Sequence, residues 1–314
     1  MSTKDKKLVF LGTPDFAVPF LQALIDNSMK PVLVITQPDE PVGRKQEFKA
    51  PPVKVLAEKS GIEVKQPEGK SELSGILKKH QPDVCVLVAY GDIITKEALA
   101  IPKFGFVNIH PSLLPVYRGP SPVQAAILNQ DRFTGVSIML LDQKVDHGPI
   151  LAQEKIEILP TDNNEILHRR LAEAGTKLLV KILPEHLAGK IKPQPQDDSK
   201  ATFTEIIKRS DGQVNWSKPA SEIEAQFRAY FPWPGVFSLW GEKRLKIANL
   251  SVLEDQINDD LAAGTVFLTQ NKALAVKCGQ GAVELKSVQL EGKKEMSGED
   301  FARGYQNIVG VVLK

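Results

Sequence analysis

The chain has 314 residues, 42% hydrophobic and 25% charged, with a net charge of +2 at pH 7. That length accommodates two ordinary domains, and the composition excludes intrinsic disorder as well as a strongly basic tail or domain, since residues 201–314 carry 14 basic and 14 acidic side chains. The start, MSTKDKKLVFLG, has an apolar run too short for a signal peptide, and no later run approaches a membrane span, so the expected location is cytoplasmic, with no membrane partner.

Residues 7–12 (KLVFLG) predict a first strand, which Gly12, Thr13 and Pro14 turn into a helix with Phe16, Val18, Phe20, Leu21, Leu24 and Ile25 on its apolar face. Such a turn offers backbone N–H groups to an anion, but one glycine is not a dinucleotide fingerprint. A second strand over 32–36 leads into residues 37–52, polar and proline-containing, where a βα connection ordinarily takes roughly two to six residues. Helix 52–59, strand 62–65, helix 72–79 and strand 84–89 keep the alternation that builds a parallel sheet covered by helices on both faces. Tyr90, Gly91, Asp92, Ile93 and Ile94 follow at the sheet's carboxyl edge. Cys85 lies in the apolar run VCVLVAY and Cys278 in a late strand; the pair and the five histidines show no metal-ligand spacing, so two buried reduced thiols and no metal are expected.

The chemistry concentrates between Phe104 and Leu151. Phe106, Val107 and Ile109 form a short strand stopped by Pro111, and Asn108 and His110, two apart, point to one face of it. Residues 136–141 form another buried strand, followed by Asp146 in a turn closed by Gly148 and Pro149. A carboxamide, an imidazole and a carboxylate so placed suit acyl transfer through a tetrahedral intermediate: Asn108 and His110 donate to the developing oxyanion while Asp146 holds the imidazole. Singly, each reads more simply as a satisfied loop residue or a turn cap. Together they favour a site.

Helix 122–128 and the helical stretch 166–187 complete this part, and the Pro-, Gln- and charge-rich GKIKPQPQDDSKATFT has linker composition. The expected division is 1–189 for a Rossmann-like catalytic domain with a mostly parallel sheet, 190–205 for a linker and 206–314 for a second domain. In the last, a helix around 221–230, an FPWPG turn and short β-rich runs near 236–240, 245–252, 264–268, 274–277 and 283–290 suggest a small barrel. Trp233 and Trp240 read first as core residues and second as surfaces for base stacking.

NIHPSLLPVYRGPSPVQ, followed at the right interval by VDHGPIL, resembles the formyltransferase superfamily that uses 10-formyltetrahydrofolate. LGTPDFAVPFLQAL, TQPDEPVGRKQEFKAPPVKVLA and DGQVNWSKPASEIEAQFRAYFPWPGVFS resemble the branch that formylates methionyl initiator tRNA. The resemblance runs over nearly the whole chain. It implies a formyltransferase domain followed by an OB-like β-barrel that helps hold tRNA, and catalysis by Asn108, His110 and Asp146. Folate contact is implied for Ser112, Leu113, Leu114 and Pro115 and for the pterin-enclosing loop Tyr90, Gly91, Asp92 and Ile93. In that branch the 37–52 insertion engages the acceptor arm, which assigns tRNA contact to Arg44 and Lys45, although the second glycine of the branch's motif is missing here. Among the later basic clusters, Lys243, Arg244 and Lys246 are taken as tRNA contacts. The implied partners are initiator Met-tRNA and formyl-folate, with the chain acting as a monomer. The rival readings are formylation of a sugar-nucleotide amine, hydrolysis of formyltetrahydrofolate and a non-catalytic RNA-binding module; intact Asn108, His110 and Asp146 argue against the last.

Overall fold

The computed structural model describes residues 6–42, 47–253 and 260–314. The chain divides into two compact units. The first comprises Met1–Pro122, Phe133–Glu157 and Leu167–Thr204; the second comprises Val123–Arg132, Ile158–Ile166 and Glu205–Lys314.

In the first unit the strands are β1 (Leu8–Gly12), β2 (Leu33–Ile35), β5 (Glu63–Lys65), β6 (Val84–Val88), β7 (Phe106–His110), β8 (Phe133–Leu140) and β9 (Ile150–Glu157). They form one sheet in the order β5-β2-β1-β6-β7-β8-β9. The first five run parallel, and β8 and β9 are added antiparallel. The helices between them are α1 (Val18–Asp26), α2 (Pro52–Lys59), α3 (Lys70–His80) and the short α4 (Lys96–Leu99). β1 and β6 are buried along their whole length, the reading of a strand covered on both faces. Val9, Leu11, Leu33, Ile35, Leu87 and Phe106 belong to one apolar cluster. Helix α5 (Pro122–Leu128) and α6 (Asn164–Leu187) both cross the division between the units.

Within the 37–52 connection, strands β3 (Glu40–Val42) and β4 (Glu47–Lys49) pair antiparallel. The sequence read this stretch as a loop; the hairpin instead satisfies its backbone locally. Its base is fixed where Lys54 Nζ donates to both Asp39 oxygens, at 2.8 and 3.0 Å, and to Gln66 Oε1 at 2.9 Å.

Residues 190–204, which the composition marked as a linker, group with the first unit. Gln194 and Ile150 exchange backbone hydrogen bonds of 2.8 Å each way. Arg118 N donates to the Thr202 carbonyl and Thr204 N to the Arg118 carbonyl, both at 2.8 Å.

The second unit holds α7 (Ala220–Ala229), α8 (Gly298–Gly304) and the strands β10 (Val236–Trp240), β11 (Lys243–Leu253), β12 (Val266–Leu268), β13 (Leu274–Lys277), β14 (Ala282–Leu290) and β15 (Met296–Ser297). Their order is β10-β11-β14-β13-β12, all antiparallel, with β15 beside β14. The last residues join the two edges: Val266 N donates to the Val311 carbonyl, while Leu239 and Lys314 exchange backbone hydrogen bonds. This removes the open edges and curls the sheet into a small barrel. Trp240 packs edge-on against Phe301 and Tyr305, with ring centroids 5.9 and 5.8 Å apart. Trp233, flanked by prolines in the FPWPG turn, is instead 52% exposed.

Candidate active site

A cleft of about 590 Å³ opens at the carboxyl ends of β1, β6 and β7, where an open α/β sheet ordinarily binds ligands. Most of the lining comes from strand ends: Pro14 and Phe16 after β1, Ala89 to Ile94 after β6, Asn108 to Pro111 at the end of β7, and Leu141 to Asp146 between β8 and β9, with Gly119, Pro120, Pro122 and His168 added to them. The unbroken apolar stretch of β6 and the apolar residues Phe106, Val107 and Ile109 of β7 fix the sheet, and Asn108 and His110 alternate with them toward the carboxyl end of β7.

Asn108 and His110 share one face of β7, as their spacing predicts, and are only 6% and 5% exposed. Asp146 comes to them from the β8–β9 connection. Asn108 Nδ2 donates to Asp146 Oδ1 at 3.4 Å, and His110 Nδ1 lies 3.6 Å from Asp146 Oδ2. The same Oδ2 accepts the Gly119 backbone N–H at 2.8 Å. His110 Nε2 donates to the Tyr117 carbonyl at 2.9 Å. A carbonyl only accepts, so this bond puts a hydrogen on Nε2 and leaves Nδ1 as the ring nitrogen beside the carboxylate.

The backbone around these groups is strained. Ala89, Tyr117 and Asp146 have φ of 46°, 60° and 46°, a left-handed conformation that costs a non-glycine residue on the order of 1–2 kcal/mol. All three lie at the site: Ala89 and Asp146 line the cleft, and Tyr117 supplies the carbonyl that holds His110. Gly148 closes the Asp146 turn because a Cβ there would overlap the Leu140 carbonyl oxygen.

Tyr90, Gly91, Asp92 and Ile93 line the cleft. Thr13 Oγ1 donates to the Tyr90 carbonyl at 2.8 Å, and Gln37 Nε2 to Asp92 Oδ2 at 2.9 Å, so the ends of β1 and β2 hold this loop. Burial, followed by the charges of Asp92 and Glu72, pushes the Tyr90 phenol up to about 12. Ser112, Leu113, Leu114 and Pro115, also expected against folate, are not among the residues lining this cleft. Their loop is bolted to the strand behind: Ser137 Oγ donates to the Ser112 carbonyl at 2.6 Å and accepts Leu114 N at 3.0 Å. Leu113 lies against Gly135, where any Cβ would strike it and the Glu154 carbonyl.

Arg44 and Lys45 lie outside the described residues. In the second unit, Arg244 and Lys246 stand two apart on one face of β11 and line a cavity of about 360 Å³ with Phe237 and Gln289. The Arg244 guanidinium is 3.4 Å from the centre of the Phe237 ring. Lys243 falls on the alternate face and is not among that cavity's lining residues.

Sequence reasoning missed Gln196 and Arg118. Gln196 Nε2 donates to the carbonyls of Asp146 and Gly148, both at 2.8 Å, and its Oε1 accepts from Arg118 Nε at 3.1 Å and Nη2 at 2.8 Å. Gln196 stands in a segment whose composition reads only as a connection; the buried partner, Arg118, was visible as a basic residue beside the SLLP loop. Among the described residues no group of His, Cys, Asp or Glu is placed to hold a metal ion, and no helix is long and apolar enough to cross a membrane.

The sequence matches the formyl transferase family over residues 6–183 and the formyl transferase C-terminal domain over 206–306. The chain belongs to the formyl transferase family. A methionyl-tRNA formyltransferase of Caldicellulosiruptor saccharolyticus is 42% identical, covering 98% of this formyl transferase and 99% of the relative. One from Roseiflexus sp. is 44% identical over 95% of this chain and 92% of the relative. Among solved structures, an N-formyltransferase of Helicobacter canadensis in complex with folinic acid and dTDP-3-aminofucose superposes with a TM-score of 0.67 at 22% identity, covering 89% of this chain and 98% of the other. At that identity the likeness is one of fold.

Proposed function

We propose that this formyl transferase moves the formyl group of 10-formyltetrahydrofolate onto the α-amino group of methionyl initiator tRNA, for the start of protein synthesis. The observation that carries the chemistry is the convergence of Asn108, His110 and Asp146 at one end of a cleft whose other wall is the Tyr90–Ile94 loop. The acceptor is assigned by relatives more than 40% identical over nearly the full chain, which bear the name methionyl-tRNA formyltransferase.

The residues divide the work as follows. The cleft takes the folate with its pterin against residues 90–94. The acceptor amine attacks the formyl carbon, and negative charge grows on the formyl oxygen. Asn108 has two amide hydrogens; one is engaged by Asp146, and the other is available to that oxygen. In its imidazolium form, with Nε2–H tied to Tyr117, His110 meets the same charge by donating from Nδ1–H. Asp146 keeps both donors oriented and takes the proton leaving the amine; collapse of the tetrahedral intermediate then breaks the bond from the formyl carbon to N10, and N10 is protonated as tetrahydrofolate leaves. No covalent enzyme intermediate is needed, because the acceptor is itself the nucleophile.

The sugar-nucleotide reading keeps the same three residues, so the test must vary the acceptor. Purified protein is incubated with 10-formyltetrahydrofolate and either charged initiator tRNA or an amino-sugar nucleotide. Formyl-methionyl-tRNA should appear in the first; product only in the second would overturn the assignment.

A further inference from the structure

We propose that Gln196, oriented by Arg118, is a positioning residue that holds Asp146 in its working place, which makes residues 190–204 a strap of the active site. This rests on the reading of Asp146 given above.

Asp146 has a left-handed backbone, and among the described residues its side chain is engaged by Asn108 and Gly119 and makes no hydrogen bond to the turn itself. The backbone is gripped from outside. One amide nitrogen, Gln196 Nε2, donates to the carbonyls of Asp146 and Gly148 and so brackets the turn from both sides. The orientation of this amide is forced. Arg118 Nε and Nη2 form a fork on Gln196 Oε1, and a guanidinium only donates, so the oxygen faces Arg118 and the two N–H groups face the turn. Flipping the amide would set two donors against donors and an acceptor against two acceptors.

Arg118 is fit for this task, being 3% exposed and fixed again through Nη2 to Asp198 Oδ1 at 2.7 Å. The arginine beside Asp198 holds that carboxyl below its ordinary value, with a further contribution from His147. His147, next to Asp146, reaches Asp142 Oδ2 at 2.5 Å and Asp198 Oδ2 at 3.2 Å, a second tie between strap and turn. The strap is fastened on both sides of Gln196, at Gln194 to Ile150 and at Thr202 and Thr204 to Arg118.

Gln196→Glu separates positioning from simple fastening. The carboxylate keeps the side chain's length and still accepts the Arg118 fork, yet it has no N–H for the two carbonyls. Expected is a fall in kcat of about 10- to 100-fold with the KM for 10-formyltetrahydrofolate held, and faster amide hydrogen exchange confined to residues 142–149. Gln196→Met, similar in length but apolar, also takes the acceptor from the buried Arg118, so it should lose at least as much kcat and add a loss of stability. Parental kcat and parental exchange in Gln196→Glu, beside an inactive Asp146→Asn, would overturn the proposal. If Asp146→Asn itself turned over normally, the catalytic reading of Asp146 would fall, while faster exchange at 142–149 in Gln196→Glu would still establish the grip on the turn.

Discussion

His110 Nδ1 and Asp146 Oδ2 stand 3.6 Å apart, while the opposite ring nitrogen of His110 is held at 2.9 Å by the Tyr117 carbonyl. That pairing predicts the outcome of removing the ring. His110→Ala should lower kcat by about 10²- to 10³-fold, the range for one lost oxyanion donor. The KM for 10-formyltetrahydrofolate should change little, because the ring acts on charge that develops only during reaction. Steady-state kinetics checks this, and a kcat near the parent's would remove His110 from the mechanism.

Asn108→Ala should cost about 10²- to 10³-fold in kcat, the usual loss for one oxyanion donor. Asp146→Asn should also be impaired. Its oxygens accept from Asn108 and from Gly119 N, and turning one into an N–H donor puts a donor against a donor. Rates for the two variants and their double mutant test the link: a double mutant hardly worse than the worse single one identifies a unit, whereas simple additivity would show that the two act apart.

Gly148 gives a prediction of another kind. A methyl group there overlaps the Leu140 carbonyl oxygen, which is backbone and has nowhere to retreat. Gly148→Ala should therefore displace the turn bearing Asp146, destabilising the protein by roughly 1–3 kcal/mol and lowering kcat. Thermal unfolding and kinetics read the two effects; a variant equal to its parent in both would show that the turn yields without consequence.

Much of this site was legible because it follows from periodicity. Asn108 and His110 lie two apart in a strand stopped by proline, so a shared face was dictated before any tertiary contact formed. The hydrophobic runs 84–88, 236–240 and 274–277 similarly announce themselves, since burial on a sheet demands such runs. What was not legible depends on partners distant in sequence. Gln196 meets Asp146 across 50 residues, and nothing in PQPQD betrays it. Between its prolines the SLLP loop could pack its leucines beneath it or wall a pocket, and folate contact there is implied by the resemblance alone; the Ser137 hydroxyl, which fastens that loop to the sheet, reads in sequence only as one small polar residue in a strand. The barrel's closure likewise uses the stretch 311–314, a run too short to announce a strand by itself.

The two thiols should be inert in the native protein. Burial raises both: Cys85 strongly, and Cys278 from an ordinary 9.0 to about 12. A raised thiol is protonated in the folded state at pH values where the unfolded chain has begun to lose its proton. The stability this gives is thus fully present below pH 9 and is lost as pH rises from 9 towards 12. With a thiol reagent at pH 8, neither cysteine should react until denaturant is added, and then both should; rapid native labelling of one would contradict its burial.

The last prediction concerns tRNA and β11. Lys243, Arg244 and Lys246 look equivalent in sequence, but strand alternation separates them: Arg244 and Lys246 share a face and a cavity, and Lys243 does not join them. If that face carries phosphate contacts, Lys246→Ala should weaken Met-tRNA binding and reduce the log–log salt slope by about one, the signature of one lost phosphate contact. Arg244→Lys should weaken binding while keeping the charge, because the guanidinium carbon sits 3.4 Å over the centre of the Phe237 ring and a lysine cannot reproduce either that contact or a two-pronged one to phosphate. Lys243→Ala should leave the slope nearly unchanged. None of the three should alter the KM for 10-formyltetrahydrofolate, whose proposed cleft is built from first-unit residues alone. Binding titrations across a salt series decide the matter: equal slope changes for Lys243 and Lys246 would mean diffuse attraction by net charge, and no change for Lys246 would place the tRNA contact elsewhere.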